Sequence, residues 1–310
     1  MEKLKLLIDT DPGVDDALAI LMAHRRAHVL GLTIAAGNVG LAHTVANALK
    51  LVETIGADTP VFAGCPGPLV HAAADAAFVH GADGFGDTGY APAARTAAAE
   101  HAAHAILRLA QAHAGELVIV AMAPLTNLAL ALKLDPTLPQ RVARLVIMGG
   151  AVTGRGNTHL IPAEFNIGFD PEAAHAVFSA WPAFTLVDWE LTLRHGLEFE
   201  TVERWLAGES KLARFYAAIS RKTREWTRAR AREKLLVADA LAMAVALEPE
   251  IVVEAAERHV AIETAGALTR GATVVDWDRR FDAAPNARIV LAVDQSRFES
   301  LVAGALGADA

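Results

Sequence analysis

The sequence predicts an α/β fold. It reads as a single domain over residues 1–310, an open and mostly parallel sheet with helices on both faces and a helical insertion. Three observations predict it. Short apolar runs alternate with segments of helical period. The runs are continuously apolar, as strands covered on both faces must be. Acidic, amide and glycine clusters follow several of the runs, which is where open parallel sheets bind ligands.

The first run, residues 4–8, ends in acids and leads into a helical pattern over 14–23. A strand over 29–36 precedes a helix over 41–55. The Ala-, His- and Gly-rich stretch 69–92 reads as a long functional loop. A helix over 101–113, a strand over 117–121, a helix over 125–132 and a strand over 145–148 follow. A helix over 171–179 and a strand over 184–187 complete the alternation. Residues 191–247 are mostly helical and form the insertion. Strands are expected at 260–263, 272–275 and 289–293, and a last helix at 297–306.

Composition narrows the function. Lys and Arg number 28 against 36 Asp and Glu, a formal charge of −8, which disfavours nucleic-acid binding. The basic stretch from Arg221 to Arg232 is interrupted by Glu225 and reads as a solvated helix face. No apolar run reaches the roughly 20 residues of a membrane span. The opening Met1-Glu2-Lys3-Leu4-Lys5 has no export-signal pattern, and Cys65 is the only cysteine, so a reducing cytoplasm is the expected compartment.

The acidic segment Asp9-Thr10-Asp11-Pro12-Gly13-Val14-Asp15-Asp16 carries the chemistry. One Asp here would be a helix cap. Four acids in eight residues exceed that need, and carboxylates gathered in a cleft repel one another unless a cation joins them. With no cysteine or histidine cluster beside them, a hard ion is favoured, Ca²⁺ or Mg²⁺. Asp15 and Asp16 fall in the first turn of the following helix, where the dipole favours anions. A strand followed by Asp-x-Asp also suits a phosphohydrolase with Asp9 or Asp11 as nucleophile.

A second constellation holds Asn157, Glu164 and Asn166, polar groups able to grip a polyhydroxylated sugar. Glu164 and Asn166 are two residues apart and share a side if the segment is extended. Asp170 before Pro171 reads as a helix N-cap, and Asp239, heading an apolar helix, does so on first reading.

Together these segments resemble the inosine–uridine-preferring nucleoside hydrolase family over nearly the whole chain. The acidic segment through Ala17 carries the resemblance, with Gly37-Asn38, His80-Gly81, Pro124-Leu125-Thr126-Asn127, Met148-Gly149-Gly150, Ala163-Glu164-Phe165-Asn166-Ile167 and Asp239 in family order. Thr269-Arg270-Gly271 and Pro285-Asn286 are further matches. The resemblance implies a Rossmann-like nucleoside hydrolase fold and hydrolysis of a ribonucleoside to base and ribose. It implies Ca²⁺ held by Asp11, Asp16, Asp239 and the backbone carbonyl of Met122, with Asp11 also the general base. Asp15, Asn38, Asn166 and Asp239 would meet the ribose 2′- and 3′-hydroxyls, and Asn157 and Glu164 the 5′-hydroxyl. A homodimer or homotetramer is the expected assembly.

At the leaving-base end, Ala238 stands where many pyrimidine-accepting members place a His, and no Trp stands there either. His80 matches another active-site His of the family, while Trp226, thirteen residues before Asp239, is placed to stack on the base or to pack its helix. The Trp189-Glu190 pair is expected to serve folding alone. A nucleoside-binding protein with little turnover is a third reading, prompted by Ala238.

Overall fold

In the computed structural model the described residues are 3–72, 74–230 and 232–308; Met1 and Glu2 of the opening segment and residue 73 of the long loop lie outside them. The chain runs β1 (Lys5–Thr10), α1 (Val14–Arg26), β2 (His28–Ile34), α2 (Leu41–Ile55), β3 (Val61–Ala63), α3 (Ala77–His80) and α4 (Ala102–Ala112). It continues with β4 (Leu117–Ala121), α5 (Thr126–Leu134), β5 (Val142–Met148), α6 (Phe165–Phe169), α7 (Pro171–Ala180) and β6 (Phe184–Val187). The inserted segment holds α8 (Trp189–Arg194), β7 (Leu197–Glu198), α9 (Phe199–Leu206), α10 (Lys211–Ala229), β8 (Lys234–Leu235) and α11 (Ala238–Leu247). The chain ends with β9 (Val252–Arg258), β10 (Val260–Ile262), β11 (Thr273–Val275), β12 (Ala287–Val293) and α12 (Gln295–Leu306).

Eight strands form the central sheet in the order β3-β2-β1-β4-β5-β6-β12-β9, and only β9 runs antiparallel to its neighbour. Strand β1 lies between β2 and β4, so the connections leave it in opposite directions. The crevice beyond the carboxyl ends of β1 and β4 is therefore the switch point where such sheets bind ligands.

Successive side chains on a strand point to opposite faces, and the central strands feed two cores at once. Leu6, Ile8, Val118, Val120, Val146 and Met148 join one core, beneath α1, α10, α11 and α12. Leu7, Leu117, Ile119, Leu145 and Ile147 join the other, beneath α4, α5 and α7. Both faces are dry, so the middles of the central strands are continuously apolar, as in residues 6–8, 117–121 and 145–148, which makes them readable.

The structure departs from the expected pattern in several places, among them the short edge strand β3, which has no counterpart among the expected strands. The strands expected at 260–263 and 272–275 pair with each other as the β10–β11 hairpin and stay out of the central sheet. The helical insertion is broken by a small β7–β8 ladder. Strand β9 has no counterpart among the expected strands, because Glu254, Glu257 and Arg258 interrupt its apolar residues; charges are tolerated on a sheet edge.

Ile119→Ala removes a fully buried side chain from the middle of β4. It should cost about 2–5 kcal/mol, seen as a lower urea midpoint with an unchanged slope. A midpoint within error of wild type would contradict the two-core description.

Candidate active site

The turn after β1 is built around Asp16, which is fully buried. Its Oδ1 accepts hydrogen bonds from Thr10 Oγ1 (2.5 Å) and the Asp11 amide (3.3 Å). Its Oδ2 accepts from the Gly13 amide (2.9 Å) and Asn38 Nδ2 (3.1 Å). One carboxylate thus closes the turn and ties it to the segment after β2. Asp11 Oδ2 accepts from the Asn38 amide (2.6 Å), while Asp11 Oδ1 is buried without a partner. The turn admits no extra atoms. A Cβ on Gly37 would lie 2.1 Å from Asp11 Oδ2, and one on Gly13 would lie 2.7 Å from both Asn38 Nδ2 and His80 Nδ1.

Asp239 comes from the first turn of α11, where its side chain does not cap the helix; the N-cap position is Val237. Oxygen atoms of Asp15, Asp16 and Asp239 lie within 4.8 Å of one another. The tightest group of acids therefore takes in Asp15, with Asp11 beside it. Burial first, then the neighbouring carboxylates, hold Asp11 and Asp239 well above the ordinary carboxylate range and raise Asp16. Burial lifts Asp15 to about 6, offset by backbone N–H groups of α1 and α11 from Asp15, Asp16, Ala238 and Asp239. Two helix N-termini thus converge on one anionic cluster. An unpartnered buried carboxylate oxygen, hard oxygen donors and mutual repulsion fit a divalent cation. The Met122 carbonyl sits at the end of β4 and accepts from Asn166 Nδ2 (2.8 Å), which leaves one lone pair free.

A cleft of about 180 Å³ opens above the acids. Asp15, Asn38, His80, Met122, Asn157, Glu164, Asn166, Trp226 and Asp239 all line it, with Asp11 and Asp16 buried beneath. Glu164 and Asn166 share this wall for a reason other than an extended segment: Glu164 is the N-cap of the short helix α6 and Asn166 lies in its first turn. The Glu164 carboxylate accepts from the amides of Gly150 (3.0 Å), Asn166 (3.1 Å) and Ile167 (3.3 Å). Burial dominates these bonds and raises its pKa to about 7. Exposed Asn157 accepts from the Phe165 amide (2.8 Å) and so holds the same helix end.

The lining also has aromatic members. His80 is buried on α3, and its Nδ1 accepts from the Val14 amide (3.2 Å). An accepting Nδ1 leaves the proton on Nε2. Burial lowers the pKa to about 4, so the ring is neutral at physiological pH. Trp226 faces Phe78, ring centroids 6.0 Å apart, and carries the Arg230 guanidinium 3.8 Å above its ring. The end of the basic stretch is therefore not a plain solvated face. Arg232 lines the cleft with its guanidinium 5.9 Å from the Trp189 ring.

Trp189 corrects the expectation that it serves folding alone, since it lines the cleft. Glu190 does serve the fold. Its carboxylate accepts from the Thr153 amide (2.9 Å), Thr153 Oγ1 (2.6 Å) and the Arg155 amide (3.1 Å). The sequence signal for Trp189 is its place just past β6, at a strand end like the other site residues. Asp9 is fully buried beneath the cleft, bonded to Thr33 Oγ1 (2.7 Å) and Asn127 Nδ2 (2.9 Å), where a nucleophile would have no access to substrate. Asp170 caps α7 as expected and also accepts from Thr126 Oγ1 and the Leu69 amide.

Comparison with known proteins places this architecture. Residues 6–300 match the sequence model described as inosine-uridine preferring nucleoside hydrolase. The pyrimidine-specific ribonucleoside hydrolase RihB of Escherichia coli (strain K12) is 38% identical over 194 residues, a span covering 62% of this chain and 61% of that protein. Among solved structures, an inosine-guanosine nucleoside hydrolase (IG-NH) superposes with a TM-score of 0.92 at 32% identity, covering 99% of this chain and 100% of that one. A purine-preferring ribonucleoside hydrolase from Gardnerella vaginalis gives 0.90 at 30% identity, covering 97% and 99%.

The raised pKa of Glu164 has a sign that can be measured. Its protonated form is favoured in the folded state, so its contribution to stability is present below its ordinary value of 4.5 and is lost as pH rises through about 7. Glu164→Gln should therefore flatten the fall of unfolding free energy between roughly pH 5 and pH 8. Identical slopes for the two proteins would refute that attribution.

Proposed function

This chain belongs to the inosine-uridine preferring nucleoside hydrolase family, and we propose that it is a Ca²⁺-dependent enzyme hydrolysing the N-glycosidic bond of ribonucleosides to free base and ribose. The observation that carries the reading is one cleft with two unlike ends. Buried carboxylates gather at two helix N-termini on one side, and a neutral His with two Trp–Arg pairs stands on the other.

In this reading, which the family resemblance supplies, Asp11, Asp16, Asp239 and the Met122 carbonyl would hold the ion; the acids whose oxygens converge are Asp15, Asp16 and Asp239, with the unpartnered Asp11 Oδ1 buried beneath the cleft. When bound, the ion supplies a water of lowered pKa. Asp11 takes the proton of the attacking water. The oxygen bonds to the anomeric carbon as the C–N bond breaks, and that bond's electrons leave with the base. Positive charge building on the sugar is stabilised by the acids beneath it. Asp15, Asn38, Asn166 and Asp239 receive the 2′- and 3′-hydroxyls; Glu164 and Asn157 receive the 5′-hydroxyl.

Base preference has to come from this cleft, because similar relatives are named for pyrimidines in one case and for purines in another. Ala238 offers no proton there. His80 Nε2–H and the Arg232 guanidinium are donors only in these states, and Trp189 and Trp226 offer flat apolar faces. Bases with a ring carbonyl, such as hypoxanthine or uracil, suit such a wall better than bases presenting an amino group. The family resemblance extends the proposal to one domain over residues 1–310, a homodimer or homotetramer, and a cytoplasmic setting. Among the described residues no helix is long and apolar enough to cross a membrane.

Incubation with inosine, uridine, cytidine, adenosine and a phosphoester tests the reading. Ribose should appear and phosphate should not, and a chelator should abolish turnover until Ca²⁺ is restored. Phosphate without ribose would sink the proposal. Asp11→Ala should lower kcat roughly 100- to 10,000-fold, the usual worth of a positioned base. Arg232→Ala should narrow the ratio of inosine to adenosine turnover.

A further inference from the structure

The loop that carries His80 is shaped from within by the Gly86 amide donating to the His80 carbonyl (2.7 Å), the Phe85 and Asp87 amides donating to the Asp83 carboxylate and the fully buried Phe85, but its backbone is rich in glycine. Gly81, Gly84, Gly86 and Gly89 adopt positive φ, and so does Asp87 at 56°. Glycine-rich backbone has the most conformational freedom to lose, so ties from outside decide where such a loop sits. One face is tied to α10: Thr223 Oγ1 donates to the Val79 carbonyl (3.1 Å), and Lys222 pairs with Asp87. The face toward the acidic turn is tied at three points: the Val14 amide donates to His80 Nδ1 (3.2 Å), the Ala76 amide donates to the Asn38 carbonyl (2.9 Å), and past His80 the buried amide of Asn47 on α2 reaches the loop.

Asn47 uses both donors at once. Its Nδ2 bonds the Pro12 carbonyl (2.9 Å), inside the acidic turn, and the Asp83 carbonyl (2.9 Å), three residues past His80. Its Oδ1 accepts from the Tyr90 hydroxyl at the far end of the loop. The joint is closely packed, since a Cβ on Gly84 would lie 2.8 Å from Asn47 Nδ2. The acidic turn does not depend on this tie. Asp16 and Asn38 close it independently through Thr10, Gly13 and Asp11.

We propose that Asn47 is a positioning residue for the leaving-base half of the reaction, spanning Pro12 and Asp83 to hold the His80 loop at a set distance from the acids. Asn47 does not line the cleft; it acts through His80. The inference rests on the nucleoside hydrolase reading above. It predicts an asymmetric defect, in which base departure suffers and sugar-side chemistry does not.

The test compares two substrates at saturating Ca²⁺: the ribonucleoside that wild type cleaves best, and 4-nitrophenyl β-D-ribofuranoside, whose nitrophenolate leaves without help from the base-side wall. Asn47→Ala should lower kcat on the nucleoside by about 30-fold, the scale of one or two lost hydrogen bonds. The nitrophenyl riboside should change by less than about threefold. In a His80→Ala background, Asn47→Ala should add less than about threefold on the nucleoside, because the two changes act through one element. Equal losses on both substrates, no loss on the nucleoside, or additive losses in the double variant would each overturn the assignment. Should Asn47→Ala fail to fold, Tyr90→Phe removes only the third bond of the joint. It should slow the nucleoside about fivefold and spare the nitrophenyl substrate, and any other pattern counts against the proposal. A wild-type protein that cleaves neither substrate would refute the hydrolase reading itself. Failure of the Asn47 assignment alone would show against an active wild type.

Discussion

Repulsion among buried carboxylates is the constraint around which this molecule is arranged. Asp11, Asp15, Asp16 and Asp239 stand in one place where water is largely excluded, and each is pushed toward its protonated form. Such a cluster is tolerable only with compensation. Backbone donors of the β1–α1 turn meet Asp16, the amide of Asn38 meets Asp11, and the first turns of α1 and α11 aim their N–H groups at Asp15. A divalent cation completes the neutralisation in the proposed enzyme. The switch point of the sheet is what brings these groups together, because the turn after β1 and the ends of β2 and β4 are neighbours there.

The same constraint separates the two halves of the cleft. The acids draw their hydrogen-bond donors from strand ends and helix starts, with Asp11 Oδ1 left unpartnered. In the proposed reading the base-side groups come from α3 and the glycine-rich loop after it, the end of α10 and the segment before β8. The two halves touch where the Val14 amide meets His80 and where Asn47 bridges Pro12 and Asp83. A cleft made this way can keep its sugar chemistry while its base preference drifts, which agrees with relatives of similar fold bearing names for different bases.

Much of the sheet is legible in the sequence because its strands are buried on both faces, and continuous apolar runs such as residues 117–121 admit few other readings. The polar residues marking the cleft are legible for a related reason. A strand end that finishes in Asp, Asn or Gly after a run of Ile and Val has little cause to be polar unless something binds there. Edge strand β9 and the short ladder β7–β8 are not legible, since half-exposed strands carry charges that break the pattern. Trp189 escapes notice because a single Trp beyond a strand can pack a core as well as wall a cleft.

The amino-acid sequence by itself determined the fold class, the crowded acids after the first strand and the short polar residues able to grip a sugar. Each of these is a local pattern, set by side-chain type and spacing along the chain. Tertiary structure alone decided the rest. It brought Asp239, more than two hundred residues away in sequence, to within 4.8 Å of Asp15 and Asp16, and turned an apparent helix cap into part of the anionic site. It buried Asp9 beneath the cleft and brought His80, Trp226, Trp189 and Arg232 to its lining. The physical reason is that Coulomb repulsion, desolvation and shared hydrogen bonds act across space. A chain position acquires them only once packing has chosen its neighbours.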